Sequence, residues 1–331
     1  MPSFRAARER ADQRSVVGAS CRRLHFLVAY TVCIKNRIIF LYIYPPQKPT
    51  IMSTAIKSAI AALCLLFAFT AINAQTNPKF HVIAFYTGKN DQAHISFVHE
   101  ANKWFPKIAK EYNFAYDSTS NWNNLNEEFL KKYQVVLFLD TRPEDPAQRA
   151  AFQKYMENGG GWMGFHFSAF ALTPSDVPAN WDWYHNTFLG SGQYVSNIWR
   201  PSSAILRVED KQHPAMHGLP TLWKTQPNEW YRWEKDLRQN PDIRILLSID
   251  STSFPLGTGP KPEEIWHSGY YPVVWTNKNY KMIYMNMGHN DIDYEHHTNK
   301  DLSHTLDNNI IEDKLIINSL LWLGEGKKTN K

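Results

Sequence analysis

The sequence predicts an α/β fold: a doubly wound, mostly parallel sheet with helices on both faces and an aromatic loop insertion. Three observations predict it. Short apolar runs alternate with helical patterns between residues 80 and 165, and each run closes on glycine or a polar residue. The stretch Asn158-Gly159-Gly160-Gly161-Trp162-Met163-Gly164-Phe165-His166-Phe167-Ser168 stops a helix, opens a buried strand and leaves a histidine where that strand runs out. In open α/β sheets the carboxyl ends of the strands border the ligand crevice, which makes His166 the first candidate for a working side chain.

Residues 80–86 read as the first strand, closed by Thr87-Gly88. From residue 95 to 112, Phe97, Val98, Ala101, Phe105, Ile108 and Ala109 fall at helical spacing, with Pro106 expected to kink the last turns. His94 then lies at the amino end of that helix, near the carboxyl end of the first strand, while His99 reads as structural. Residues 114–117 form a second strand, 125–133 a short helix and 135–139 a third strand ending at Asp140. Asp140 either orients His166 or caps the next helix, and the cap is favoured. Pro143-Glu144-Asp145-Pro146 starts that helix, which runs to the glycine stop.

Beyond the histidine the pattern changes. Trp181, Trp183, Tyr184, Tyr194 and Trp199 crowd a loop-like stretch holding Pro174 and Pro178. Such rings either roof a polar crevice, where they suit the apolar face of a sugar, or pack on themselves. Residues 204–208 form a further strand, and 210–220 form a loop punctuated by proline and glycine. Asn228-Glu229-Trp230-Tyr231 sets a carboxylate among aromatics. Residues 243–249 make a buried strand, and 272–276 with 281–287 a hairpin that delivers Gly288-His289-Asn290 at a strand end. An amphipathic helix over 310–323 closes the chain.

Residues 52–74 carry a short basic start, an apolar run and a small residue at Ala74, and read as a secretory signal with residues 1–51 an over-extended reading frame. The apolar stretch 24–44, broken by Lys35 and Arg37, is the alternative, a membrane anchor. A secreted or periplasmic location follows from the signal, with no stable membrane span after its removal. Ten of the 36 Lys and Arg but only two of the 31 Asp and Glu precede residue 75, so the remainder holds 26 basic and 29 acidic residues. That balance gives no case for a nucleic-acid partner. Cys21, Cys33 and Cys64, the three cysteines, also precede it, so the rest of the chain has neither a disulfide nor a thiol nucleophile.

The glycine-histidine segment 159–168, His213-Pro214 with Gly218-Leu219-Pro220, Asn228-Glu229-Trp230-Tyr231, Pro272-Val273-Val274-Trp275-Thr276 and Met287-Gly288-His289 together resemble the ThuA-like (trehalose utilisation) domain family, in its motif order, over residues 79–324. The resemblance implies the class I glutamine amidotransferase-like fold, a flavodoxin-like sheet with the elbow cysteine replaced, here by His166, and therefore no amidotransfer. It also implies a link to disaccharide and 3-keto-sugar metabolism. Asn290 stands where an Asp is commoner.

His94, His166 and His289 arrive from different elements, and Glu229 supplies a carboxylate. Three imidazoles and a carboxylate suit a divalent metal with an open position, zinc favoured, or an acid/base pair. His166, His289 and Glu229 are the candidate catalytic residues, and His94, His166 and His289 the candidate metal ligands; no nucleotide cofactor is expected. Trp181, Trp183, Tyr184, Trp199, Trp230 and Tyr231 are the candidate sugar contacts. The expectation is a glycoside-cleaving or sugar-modifying enzyme; the alternative is a non-catalytic carbohydrate-binding module. The run 291–297, rich in acid and histidine, reads as a solvated loop rather than a second metal site.

Overall fold

Strands with no polar alternation must be buried on both faces, and residues 82–85, 135–138 and 161–165 obey that rule. The computed structural model describes residues 29–34, 37–42, 77–89, 91–171, 180–198, 200–255, 257–258, 262–263 and 271–325. The chain falls into two units, Met1–Gln75 and Thr76–Lys331. In the first, Ala29–Ile34 and Arg37–Tyr42 pair as an antiparallel hairpin, and the segment 52–74, expected to be a secretory signal, lies outside the described residues. Among the described residues no helix is long and apolar enough to cross a membrane.

The second unit begins β1 (His81–Phe85), α1 (Gln92–Tyr112), β2 (Ala115–Thr119), α2 (Glu127–Leu130), β3 (Val135–Phe138), α3 (Pro146–Glu157) and β4 (Gly161–Phe165), the expected alternation. Next come β5 (Tyr194–Asn197), β6 (Ile205–Val208), β7 (Leu222–Lys224), β8 (Tyr231–Trp233), β9 (Ile243–Ile249), β10 (Tyr271–Asn277) and β11 (Lys281–Met285). The chain ends with β12 (Asp291–Ile292), β13 (Asp301–Ser303) and α4 (Ile310–Gly324). Nine strands form one sheet in the order β2-β1-β3-β4-β11-β10-β9-β6-β7. From β2 to β11 every neighbouring pair is parallel, the flavodoxin-like half, and from β11 to β7 every pair is antiparallel.

Alternate residues of each strand feed two cores. Val82, Ala84, Met163, Phe165 and Ile283 pack with α1 and α4, while Ile83, Phe85, Phe138 and Trp162 pack with α3 on the opposite face. Helix α1 runs through Pro106 to Tyr112 as a single span, capped by Asp91, whose carboxylate accepts from the Ala93 amide. The cap of α3 is Asp145, not Asp140. Asp140 accepts from the amides of Thr87 and Gly88 and from the Thr87 hydroxyl at 2.6–2.9 Å, so it ties the exit of β1 to that of β3 and neither caps a helix nor orients His166.

The expected aromatic roof is also corrected. Trp181 and Tyr184 are buried, and with the half-buried Trp183 they cover the second face of the sheet around Phe152, Trp162 and Phe188. Trp275 and Asn277 hold this segment by donating to the carbonyls of Leu189, Thr187 and Phe188. The rings therefore lie over α3 and β4, and residues 187–189 of the same segment lie against β10. Trp230 is fully buried in the first core, its indole N–H donating to the Ser202 carbonyl, and Trp199 lies outside the described residues.

Candidate functional site

The parallel arrangement delivers the ends of β1, β4 and β11 to one edge of the sheet. His94 sits in the first turn of α1, the helix that follows β1. His166 follows β4 directly, at φ +38°, and opens a short 3-10 turn, His166–Ala169. This is the strand-turn-helix geometry of a nucleophile elbow with an imidazole at its apex. Left-handed backbone is costly for a residue with a Cβ, so the surroundings must hold it there. Gly164 permits the fold: a Cβ on it would lie 2.1 Å from the Trp162 ring and 2.6 Å from Ser168 Oγ. After β11, Gly288 at φ +125° turns the chain so that His289 faces back.

The three rings form a near-equilateral triangle, with centroids 5.2 Å (His94–His166), 5.1 Å (His94–His289) and 5.2 Å (His166–His289) apart. One ring nitrogen from each lies within 4.8 Å of the other two, in the only group of this kind among the described residues. All three side chains are buried, and burial holds them neutral. It lowers His94 to about 3, with His166 adding to the effect and Asp91 opposing it. Burial likewise lowers His166 to about 4, against its bonds to Asn286, and His289 to about 3.

His166 Nδ1 lies 3.1 Å from the Asn286 carbonyl oxygen, and its Nε2 lies 3.2 Å from Glu229 Oε2. A neutral imidazole has one proton for these two oxygens, so one contact lacks a donor unless a proton or a cation is supplied. Glu229 Oε2 also lies 3.9 Å from His289 Nε2, and Glu229 Oε1 accepts from Asn197. His94 Nε2 and His289 Nδ1 are buried with no hydrogen-bond partner. Orphaned imidazole nitrogens, and an imidazole edge facing a carboxylate without a shared proton, fit a bound cation. A backbone carbonyl behind the first ligand is the support expected of a metal-binding histidine.

Tyr231 joins the site from β8, its ring 4.0 Å from that of His166 between centroids. Asn228 Oδ1 accepts from the amides of Gly288 and His289 and fixes the second turn. Thus His94, His166, His289, Glu229 and Tyr231 come together, whereas Trp181, Trp183, Tyr184 and Trp230 are engaged in the cores. Sequence reasoning missed Asp91, Asn197, Asn228 and Asn286. Asp91 carried a local signal as the capping residue just ahead of His94, and Asn228 one as the neighbour of Glu229 in the motif 228–231.

A half-parallel, flavodoxin-like sheet with an imidazole at the turn after β4 defines an α/β protein that presents a histidine where a nucleophile elbow carries its reactive side chain. Residues 82–304 match the model of the ThuA family, described as trehalose utilisation, and the chain belongs to that family. It is 34% identical to a ThuA-like protein from Bacteroides uniformis ATCC 8492, with a TM-score of 0.64 over 76% of this chain and 94% of that one. A ThuA-like protein from Parabacteroides merdae ATCC 43184 shares the fold at 20% identity, with a TM-score of 0.50 over 77% and 93% of the two chains. No match is found among the curated proteins. Membership ties the chain, at a coarse level, to carbohydrate utilisation.

Proposed function

We propose that the protein is an extracytoplasmic enzyme of carbohydrate utilisation, acting on a disaccharide or 3-keto-glycoside at a divalent metal held by His94, His166 and His289. The observation that carries this reading is the buried triangle of neutral imidazoles with two nitrogens lacking partners. Three nitrogen donors with a fourth position open are the donor set of catalytic zinc. A bound metal would polarise a sugar keto or hydroxyl oxygen. Glu229, 9% exposed at the edge of this triangle, is the base that takes a proton from the carbon or hydroxyl beside that oxygen, and Asn197 orients it. Tyr231 is buried with its ring against that of His166 and helps to hold the imidazole in place. The extracytoplasmic placement rests on the leader-like segment 52–74.

A binding module without chemistry is the weaker reading, because Trp181 and Tyr184 spend their ring faces in the core. Elemental analysis of the purified protein, with turnover measured on disaccharides and their 3-keto forms, tests the proposal. About one metal per chain is expected, and Glu229→Gln should keep the metal while losing about 10²–10⁴-fold in turnover, the usual contribution of a positioned base. Full turnover by metal-stripped protein would sink the metal, and full turnover by the Glu229 variant would sink the base.

A further inference from the structure

The cavity beside the three histidines is walled by a segment that has no part in the chemistry above, the ribbon and turn from Asp291 to Ser303. The cavity measures about 510 Å³, within the range of small-molecule sites. His289 and Glu229 lie at its inner end, and Pro201, Ile292, Tyr294 and Leu302 provide its apolar wall. His289 is 5% exposed and its Nδ1 has no partner, so a buried polar group borders this space. Tyr294 and Leu302 are 37% and 58% exposed, two of the few large apolar side chains left open to solvent.

Tyr294 is fixed before any ligand arrives. Its hydroxyl donates to Asp91 Oδ1 at 3.1 Å, the same oxygen that caps α1. Its turn is bonded internally: Asp293 accepts from the His296 amide and the Thr298 hydroxyl, and the Asp293 amide donates to the Lys300 carbonyl. A ring held in this way loses little freedom on binding. The charged lining is predominantly acidic. Asp91, Glu229, Asp291, Asp293 and Glu295 face a single guanidinium, Arg200, which lies 3.7 Å from Glu295.

We propose that Tyr294 is the platform on which the apolar face of a sugar ring rests, and that the carboxylate-lined cavity admits neutral carbohydrates and rejects phosphorylated or uronic ones. This rests on the reading of the adjoining centre as a carbohydrate enzyme. An aromatic face covers the C–H side of a pyranose while carboxylates accept from its hydroxyls, and the five carboxylates outweigh Arg200 together with a divalent ion at the adjoining centre, so the net field repels a phosphate. The platform is thus supplied by the 291–303 segment rather than by the tryptophan-rich one.

Calorimetry and saturation-transfer NMR on the full chain provide the test, with trehalose, maltose, cellobiose, sucrose and trehalose 6-phosphate as probes. At least one neutral disaccharide should bind, and trehalose 6-phosphate should bind about tenfold or more weakly than the best of them. Tyr294→Ala should weaken the neutral sugar about tenfold, while Tyr294→Phe, which keeps the ring, should stay within about threefold of the parent. Asp291→Asn should narrow the gap between the neutral sugar and the phosphate. Binding of the phosphate as tight as that of the neutral sugars, indifference to Tyr294→Ala in a variant that melts normally, or no binding by any neutral probe overturns the proposal. Metal content, read on the same samples, keeps the two ideas apart. Normal metal with Tyr294-independent binding defeats only the platform, whereas absent metal with Tyr294-dependent binding defeats only the metal centre.

Discussion

His166 is held in a left-handed backbone, and its ring stands between a carbonyl and a carboxylate oxygen. Both constraints are satisfied together only if something beyond the neutral imidazole occupies the Glu229 side. Asn tolerates positive φ far better than alanine does, so His166→Asn separates backbone from chemistry. The expected outcome is a melting temperature within about 3 °C of the parent, roughly 1 kcal/mol, with metal binding weakened about 100-fold or more. Metal titration of the apo variant provides the check, and unchanged affinity would remove His166 from the ligand set. The uncharged state of all three rings also means that metal uptake near pH 6 displaces almost no protons, because their pKa values lie at about 3 to 4.

At the scale of elements, the elbow depends on how closely β4 and the turn after it approach one another. An added methyl at Gly164 meets both the Trp162 ring and the Ser168 hydroxyl, and Trp162 is wedged against Phe138, Tyr184 and Phe188. Gly164→Ala is therefore expected to lower stability by about 2 kcal/mol or more, the cost of overpacking a filled core, and to disturb His166 with it. Denaturant unfolding reads the first effect and metal content the second; a variant matching the parent in both would show that the contact relaxes freely. The loop after β11 is tied to α1 as well: Asn290 donates to Ser96 and Glu100 and accepts from the Thr305 amide. An amide suits that position, since a carboxylate there would face Glu100.

Across the whole molecule, buried titratable groups of two kinds set the pH range. His94, His185 and His289 are lowered to about 3 and His166 and His213 to about 4, all chiefly by burial. Their unfolded pKa is 6.5, so the unfolded chain binds more protons between these limits, and stability falls as pH drops below about 6.5. Glu100 and Glu312 are raised by burial from 4.5 to about 8. There the folded chain binds the extra proton, and stability falls as pH rises from about 4.5 to about 8. Five histidines outweigh two carboxyls below pH 6.5, so the melting temperature of the metal-free protein should peak near pH 6.5 and decline on both sides. Glu312 is fully buried with one carboxyl oxygen unpartnered. Glu312→Gln should stabilise the protein at pH 8 by on the order of a few kcal/mol and leave pH 4 nearly unchanged. Calorimetry from pH 4 to 9 decides it, and an equal gain at both ends would contradict the titration account.

The sequence by itself determined the alternation of strands and helices, the helix stop at Gly159 and the arrival of His94, His166 and His289 on one edge. Hydrophobic period is a local property, and a parallel sheet sends every strand end to the same side. It also excluded a thiol nucleophile from the second unit, because no cysteine follows Cys64. Only the tertiary structure decided which aromatic rings are core and which are open, what Asp140 holds, and which polar groups complete the site. His166 meets Glu229 across 63 positions, and Tyr294 meets Asp91 across 203. A tryptophan beside a proline-punctuated loop has the same local pattern whether it roofs a crevice or seals a sheet. The choice depends on apolar surface that the rest of the chain leaves uncovered, and no window of neighbouring residues contains that information.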